Sequence, residues 1–448
     1  MNSFEYSRRP QILYVTADMS WPPSIGGHIR RWNVLQGLLA SGEVDAAVFR
    51  GANGELSHQS FAGCRQIIDL RSRHLQFSNY QRKQYESTIG RGLMTLGTAL
   101  PFEYQGEALA ELRGQIRQDV DLQRYDLVWF ATARTVVPFG RLGAVSAVLD
   151  GDDFGYVREW LQLTSTPWHG AKIWNYLDVA KLWLWERGLA SRFSYVVRCS
   201  KEDQARHPAP NVVVIPNGAS VPSTVDRTPE GRVLFVGDLG YAPNSEGVEW
   251  FLEAVWPLVR QCFPSAAFDI VGRNPSQKLK DAHEQCGVHV HGFVKNLEPL
   301  FRRASLSVTP LHAGGGTRLK ILESLANAVP VVSTDIGAFG ISADSRHGLD
   351  RAETPEQFLQ RIGEILRNGE LAQARANAGR EFVRTNYDWR VIRGKVRELV
   401  LHAVGIEEVV NQRDSSSELV SGGEVDDHRR GLSADSHLAC QVGREGLS

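Results

Sequence analysis

No run of about 18 consecutive apolar residues occurs anywhere in the 448-residue chain, so no segment is suited to cross a membrane as a helix. Cysteine is scarce. Cys64, Cys199, Cys262, Cys286 and Cys440 are scattered, odd in number and free of any CxxC spacing. A disulfide framework or a thiolate zinc site is therefore not expected, and a reducing compartment is. Basic excess is lacking too: the net charge is −1, so composition carries no footprint for nucleic acid. The histidines show no HExxH or other ligand spacing, and no metal is expected. No GxGxxG follows an early strand with an acid beyond it, which argues against a dinucleotide-dependent dehydrogenase. The opening "MNSFEYSRRPQILYVTADMS" lacks the apolar core and small-residue cleavage site of a secretory signal. A cytoplasmic protein is the expectation, with peripheral contact on the inner face of the membrane left open.

What is present is a soluble globular composition, 42% hydrophobic and 23% charged. The length exceeds one ordinary core and predicts two domains of about 150–200 residues each. "QILYVTA" is a short apolar strand, "DMSWPPSIGG" a loop, and "HIRRWNVLQGLLASG" a helix by the spacing of Ile29, Trp32, Leu35, Leu38 and Leu39, with Gly42 as its stop. "VDAAVF", "YDLVWFA", "SAVLD", "SYVVRCS" and "NVVVIPNG" follow as further strands. Between Gly155 and Phe193 lies a helical stretch carrying Trp160, Trp168, Trp174, Trp183 and Trp185.

After a Pro/Ser/Thr-rich linker, "ASVPSTVDRTPEG", the pattern restarts. Strands "RVLFVG", "AFDIVG", "VHVHGFV", "LSVTPL" and "PVVST" alternate with helices, among them "NSEGVEWFLEAVWPLVRQC" and "TRLKILESLANA". This predicts an α/β protein of two doubly wound parallel sheets with Rossmann-like order, facing a cleft lined by loops at strand carboxyl ends. The expected division is an N-terminal domain over 1–218, a C-terminal domain over 219–385, a helix over 386–408 and a disordered polar tail over 409–448.

Chemistry concentrates in "LHAGGGTRLKILESLA", Leu311 to Ala326. Gly314, Gly315, Gly316 and Thr317 precede a helix, and glycine backbone at a helix N-terminus presents free N–H groups suited to a phosphate. Arg318 and Lys320 are expected in the first helical turn. Cations there oppose the helix dipole, a cost that an anion between them would offset. Glu323 lies too far along to be a cap, and a carboxylate can accept from two sugar hydroxyls. On these residues alone a solvated glycine turn fits as well.

"PPSIGGH" places Gly26 and Gly27 at the start of the first helix, either a ligand approach or a tight turn. "LDGDDFGY" clusters Asp150, Asp152 and Asp153 after a strand. These suit a cation or a base, but a capping role for Asp153 or a structural role is favoured. Arg273, in "VGRNPS", offers a phosphate contact or only a turn. The tryptophans suit a core, a sugar platform or a bilayer surface, with the core favoured.

Taken together, "VLFVGDLGYAPNSEGVEWF", "FDIVGRNPS", "VHVHGFVKNLEPLFRRASLSVTPLHAGGGTRLKILESLANAVPVVST" and the closing "REFVRTNYDW" resemble the retaining GT-B glycosyltransferases of family 4, or group 1. The resemblance runs from Gln11 to about residue 405 and is strongest over Val233–Ile341. It implies an N-terminal domain on the acceptor side and a C-terminal domain binding a nucleotide-diphospho-sugar. Glu323 then matches the glutamate holding the ribose. Gly292, Phe293 and Val294 match the strand end abutting the base, and Gly26 and Gly27 the loop near diphosphate and acceptor.

The resemblance has two gaps. The family commonly carries two glutamates separated by seven residues, and Gly315 stands where the first belongs. Its usual cations after the first C-domain strand are also missing from "GDLGYAPNSEG". Both gaps fit a subgroup with "GGGTRLKILE", in which Arg318 and Lys320 supply the charge that stabilises the leaving diphosphate.

The function so implied is retaining transfer of a hexose-like sugar to a glycan or lipid-linked acceptor, in surface polysaccharide assembly. No cofactor or metal is implied, the nucleotide-sugar being a co-substrate. The rivals are a non-catalytic nucleotide- or glycan-binding protein of the same fold and a GT-B sugar-nucleotide epimerase.

Overall fold

In the computed structural model, residues 8–23, 25–51, 56–72, 96, 107–152, 154–165, 172–314 and 318–406 are described. The chain opens with β1 (Gln11–Ala17), α1 (Gly26–Ser41), β2 (Glu43–Gly51) and β3 (Gln66–Ser72). It continues with α2 (Glu107–Asp119), β4 (Leu127–Phe130), α3 (Ala133–Val136), β5 (Ser146–Asp150), α4 (Gly155–Ser165), α5 (Lys172–Arg187), β6 (Tyr195–Arg198), α6 (Lys201–Arg206) and β7 (Val212–Val214). These seven strands form one parallel sheet in the order β3-β2-β1-β4-β5-β6-β7. Its central strands are near-continuous apolar runs because helices cover both faces: Ile12, Leu13, Tyr14 and Val15 are fully buried.

The second sheet begins with β8 (Arg232–Val236), α7 (Ala242–Trp250), α8 (Trp256–Cys262), β9 (Ala267–Val271), α9 (Gln277–Asp281) and β10 (Val288–Gly292). There follow α10 (Glu298–Arg303), β11 (Ala304–Thr309), α11 (Leu319–Ala326), β12 (Val331–Ser333) and β13 (Leu349–Arg351). Its order is β10-β9-β8-β11-β12-β13, again all parallel. The helices α12 (Pro355–Arg367), α13 (Gly369–Asn386) and α14 (Trp389–Ala403) close the described chain. Two Rossmann-like sheets are thus present, as the strand–helix alternation predicts.

Some expectations need correction. "QIIDLRS" forms the edge strand β3, whose charged Asp69 is gripped by Arg50 of β2 at 2.7 Å; the charge had masked the strand. The three-residue β13 was also unforeseen. The single helix expected over "NSEGVEWFLEAVWPLVRQC" divides into α7 and α8 around a wide turn at Phe251–Val255. Pro257, which lacks an N–H, sits just after that turn and explains it. Of the five tryptophans, Trp160 and Trp183 are exposed and not core. Trp174 and Trp185 are half-buried, and Trp168 lies outside the described residues. So does the tail over 409–448.

Two chain crossings connect the sheets and bond to each other. Ala219 donates to the Tyr387 carbonyl at 2.8 Å, and Trp389 donates to the Ala219 carbonyl at 3.2 Å. From there α14 returns to the first sheet and packs along α1. The helices approach so closely that a Cβ at Gly37 would lie 2.9 Å from Val396 Cβ. Arg393 of α14 donates to Asn33 Oδ1 of α1 at 2.7 Å.

On the same helix, Arg30 turns inward. Its guanidinium grips the Asp150 carboxylate at the end of β5, with Nη2 to Oδ1 at 2.6 Å, and donates to Asn217 Oδ1 at 3.0 Å and the Ile215 carbonyl at 3.1 Å. Both partners are almost fully buried. One cation therefore ties α1, β5 and the outgoing crossing together. Replacing its carboxylate leaves that cation enclosed without a counter-charge. Asp150→Asn is expected to lower the unfolding free energy by about 3–5 kcal/mol, read from urea titrations by tryptophan fluorescence; a loss below about 1 kcal/mol would contradict this role.

Candidate active site

In an open α/β sheet, ligands bind beyond the strand carboxyl ends where the strand order reverses. In the second sheet that point lies between β8 and β11. The loop after β8 is "GDLGY" and the loop after β11 is "PLHAGGGTR". The glycine-rich stretch thus sits at the ligand-binding position of its sheet.

Helix α11 carries its apolar residues Ile321, Leu322 and Leu325 into the core, which leaves Lys320 and Glu323, one turn apart, on its other side. Lys320 reaches across to the β8 loop. Its Nζ donates to Asn244 Oδ1 at 2.7 Å and lies 4.4 Å from the Phe235 ring centroid. Asn244 is held in that orientation because its amide N–H donates to the Asp238 carbonyl at 2.8 Å. Glycine is required beside it: a Cβ at Gly237 would stand 2.7 Å from the ammonium.

Lys320 is half-buried as a residue, and its ammonium is enclosed. Burial, reinforced by the Arg318 cation, lowers the Lys320 pKa to about 7, against a smaller opposing pull from Glu323. Burial pushes the Glu323 carboxyl up, and the lysine only partly offsets it. Among the described residues no hydrogen bond or ion pair engages the Glu323 carboxylate.

Arg318 differs from expectation in one respect. It precedes α11 as its cap residue, in non-helical conformation, so it is not in the first turn. Its side chain is buried, with Nη2 3.5 Å from the Ile336 carbonyl. Gly314 adopts φ +115, and a Cβ there would lie 3.0 Å from Arg318 Nη2 and 3.2 Å from the Tyr241 hydroxyl. Gly315, Gly316 and Thr317 lie outside the described residues. Among the described residues no side chain caps the N-terminus of α1 or of α11.

Beyond β8, the neighbouring strand ends come together through glycine. The Gly272 N–H donates to the Gly292 carbonyl at 2.9 Å, and a Cβ on Gly272 would fall 1.8 Å from the Gly237 carbonyl oxygen. Phe293 follows, 69% exposed, and Val294 is half-buried against Leu297 and its neighbours. Arg273 is set apart from Lys320 in a surface pair with Asp238 at 3.1 Å.

The first sheet reverses order between β1 and β4, and the loop after β1 leads into α1. A Cβ at Gly26 would lie 3.0 Å from Leu319 Cδ1, so the two switch points meet, whereas Gly27 faces open space. Next to them, His28 accepts at Nδ1 from the Ser20 N–H and lies 2.8 Å from Ser20 Oγ. Burial, helped by Arg31, lowers its pKa to about 4. It is a neutral ring with its proton on Nε2. A second contact between the halves sets the Arg206 guanidinium 5.0 Å from the Phe339 ring centroid.

The acidic cluster does not assemble into a site among the described residues: Asp150 is committed to Arg30, and Asp153 lies outside them. Asn244, Tyr241 and His28 went unread in the sequence. An amide or a phenol in a loop carries no spacing signal, and only the fold brings Asn244 to Lys320.

Residues 230–368 match the family described as Glycosyl transferases group 1. The chain is similar to a phosphatidyl-myo-inositol mannosyltransferase of Mycobacterium leprae, 28% identical over 201 residues, covering 42% of this chain and 52% of that one. It is also similar to an uncharacterised 44.6 kDa protein in the cps region of Klebsiella pneumoniae, 27% identical over 165 residues, covering 35% of this chain and 42% of that one. The chain thus spans about half the length of the curated relatives it matches. Among solved structures, sucrose-phosphate synthase from Thermosynechococcus elongatus superposes with TM-score 0.62 at 15% identity, covering 88% of this chain and 99% of that one. Anabaena HepE in complex with UDP-glucose superposes with TM-score 0.57 at 15% identity, covering 88% and 100%. The fold is of the GT-B kind, and residues 230–368 are similar to the group 1 glycosyl transferases.

Proposed function

We propose that the chain is a retaining glycosyltransferase that moves a sugar from a nucleotide-diphospho-sugar to a glycan or lipid-linked acceptor in surface polysaccharide assembly. One observation carries the reading: two cations, Arg318 and Lys320, are enclosed at the switch point of the second sheet, opposite the uncapped start of α1. As the bond from the anomeric carbon to the diphosphate breaks, negative charge grows on the leaving phosphate. Preorganised cations in an enclosed site stabilise that charge more than water does. Glu323, a carboxylate engaged by no described residue, suits the ribose hydroxyls. Gly292 and Phe293 suit the base.

For retention, the acceptor hydroxyl adds on the face the phosphate leaves, and the departing phosphate oxygen takes its proton. No step calls for a metal or a cofactor, and no pair of carboxylates is required. The HepE complex with UDP-glucose supports a nucleotide-sugar donor, and the name of the mannosyltransferase relative supports a lipid-linked acceptor. No described helix is long and apolar enough to cross a membrane, and the reading places the chain at the inner membrane face as a peripheral protein.

A thermal-shift screen of UDP-, GDP- and ADP-sugars identifies the donor, since a ligand of the native state raises its melting temperature. With that donor, Arg318→Ala is expected to lower kcat by about 10²–10³-fold with the fold intact; full turnover in this variant would remove the phosphate role. Proton NMR of the first product is expected to show the donor's anomeric configuration, and the opposite anomer would overturn retention.

Lys320 generates a pH signature. Its pKa of about 7 is expected to rise when a diphosphate binds, so the ligand selects the protonated form. Donor affinity is therefore expected to be flat below about pH 7 and to fall by up to about tenfold per pH unit above it. The nucleotide-sugar diphosphate itself does not titrate in that range. Calorimetric titrations from pH 6 to 9 check this, and Lys320→Met should abolish the slope. An equal slope in that variant would assign the titration to another group.

A further inference from the structure

Two buried arginines lie at the carboxyl edge of the first sheet, and only one has a counter-charge. Arg30 has the Asp150 carboxylate, Asn217 and the Ile215 carbonyl as acceptors. Arg198, the last residue of β6, is 4% exposed. Its Nη1 donates to the Gly151 carbonyl at 3.1 Å. Among the described residues no carboxylate pairs with it, and nothing accepts from its Nη2 or from its Nε, which is enclosed. The unused side is thus the Nε–Nη2 edge, which presents two parallel N–H groups. Enclosing a guanidinium is strongly unfavourable unless an anion pairs with it.

The surroundings of Arg198 add positive charge and a second unsatisfied group. Its guanidinium lies over the Phe154 ring, 3.9 Å from the centroid. His207 meets the same ring edge-on at 4.9 Å and stacks on Tyr156 at 5.6 Å, with the ring planes 16° apart. Both ring nitrogens of His207 are enclosed, and neither has a partner among the described residues. Burial, reinforced by the Arg198, Arg187 and Arg206 cations, lowers the His207 pKa, so the neutral ring keeps one N–H to donate.

Two carboxylates act on Arg198 from beyond contact, Glu186 and Asp203. Both are engaged elsewhere. Glu186 accepts the Gly155 N–H at 2.8 Å, and Asp203 accepts from Ser200 Oγ at 2.8 Å and pairs with Arg206 at 3.4 Å. The Arg206 guanidinium lies 5.9 Å from the Phe154 centroid and 5.0 Å from that of Phe339, which sets the cluster against the second half of the chain.

We propose that Arg198, with His207 and Arg206, forms an anion subsite whose ligand is an oxyanion, phosphate or carboxylate, carried by the acceptor. One such group supplies the two parallel acceptors that the Arg198 edge is shaped for and the counter-charge that its burial calls for. The cluster stands beyond the carboxyl ends of β5 and β6, on the edge of the first sheet that faces the second. Assigning the anion to the acceptor rests on the proposed function, whereas the anion site itself does not.

The full chain is titrated by calorimetry with geranyl phosphate and geraniol, and with glucuronate and glucose. One or both acidic probes are expected to bind and their neutral counterparts not. Which acid binds tells a phosphate on an isoprenoid from a carboxylate on a sugar. Arg198→Met should weaken that binding at least about tenfold. It should not lower the melting temperature of the chain alone, because an apolar side chain of similar volume replaces a charge with no described counter-ion. Lys320→Met should leave the binding unchanged, which separates this site from the glycine loop. If Arg198→Met misfolds, Arg206→Gln, a change at a more exposed side chain, is expected to weaken binding about threefold.

The inference is overturned by binding of neither acidic probe, by equal binding of the neutral counterparts, or by loss of binding in Lys320→Met. Unchanged binding in Arg198→Met, or in Arg206→Gln where that variant replaces it, also overturns it. A lower melting temperature together with unchanged binding makes Arg198 a structural residue. Nucleotide-sugar binding is measured without these probes, so failure here leaves the donor site standing, and the reverse.

Discussion

Two positive charges held close together in a partly dry site, Arg318 and Lys320, set the terms for this molecule. From Leu311 to Lys320 the loop and helix start contain Arg318 and Lys320 and not one carboxylate. The Lys320 ammonium rests on a neutral amide and an aromatic face, and burial with the nearby Arg318 cation lowers its pKa to about 7. A carboxylate in the loop would relieve the repulsion, but it would also occupy the place where a diphosphate brings its own charge. On the proposed reading, the charge of a diphosphate would meet two enclosed cations at this loop.

The surrounding structure keeps that arrangement from collapsing. Asn244 is pinned by the Asp238 carbonyl and cannot turn away from Lys320. Gly237 leaves the ammonium room, and Gly272 lets three strand ends lie backbone to backbone. Across the site, α1 is fixed from both sides. Arg30 ties it to β5 and to the outgoing crossing, while Asn33 and Gly37 receive α14. The first-domain helix start is thus positioned by residues from both ends of the chain, and the crossings at Ala219 and Tyr387 are bonded to one another. Whatever approaches Gly26 meets a helix end whose place is set by long-range contacts.

Much of the fold was legible in the sequence, for a physical reason. Strands buried on both faces read as apolar runs, so β1 and β5 begin and end where "QILYVTA" and "SAVLD" do. Where charge enters a strand the signal fails. "QIIDLRS" was not read as a strand, and there Asp69 is paired with Arg50 of the neighbouring strand. The glycine loop and its cations were legible as a group, but Arg318 was assigned to a turn of helix that starts one residue later. Asn244, His28 and Tyr241 were not legible at all, since their significance comes from partners distant in sequence. The tryptophans show the opposite limit. Their apolar character suggested a core, and nothing in their spacing marks Trp160 and Trp183 as exposed.

The contrast between the two halves follows from what each must recognise. On the proposed reading, a diphosphate makes a compact and fixed demand, for which sixteen consecutive residues offer glycine, two cations and one carboxylate. Such a demand leaves a contiguous trace, and the family match over residues 230–368 includes it. On the proposed reading, an acceptor at the first domain would be met by elements far apart in the chain, among them the start of α1 and the segment after β5. The donor side is accordingly written as a motif, while the acceptor side is written as geometry.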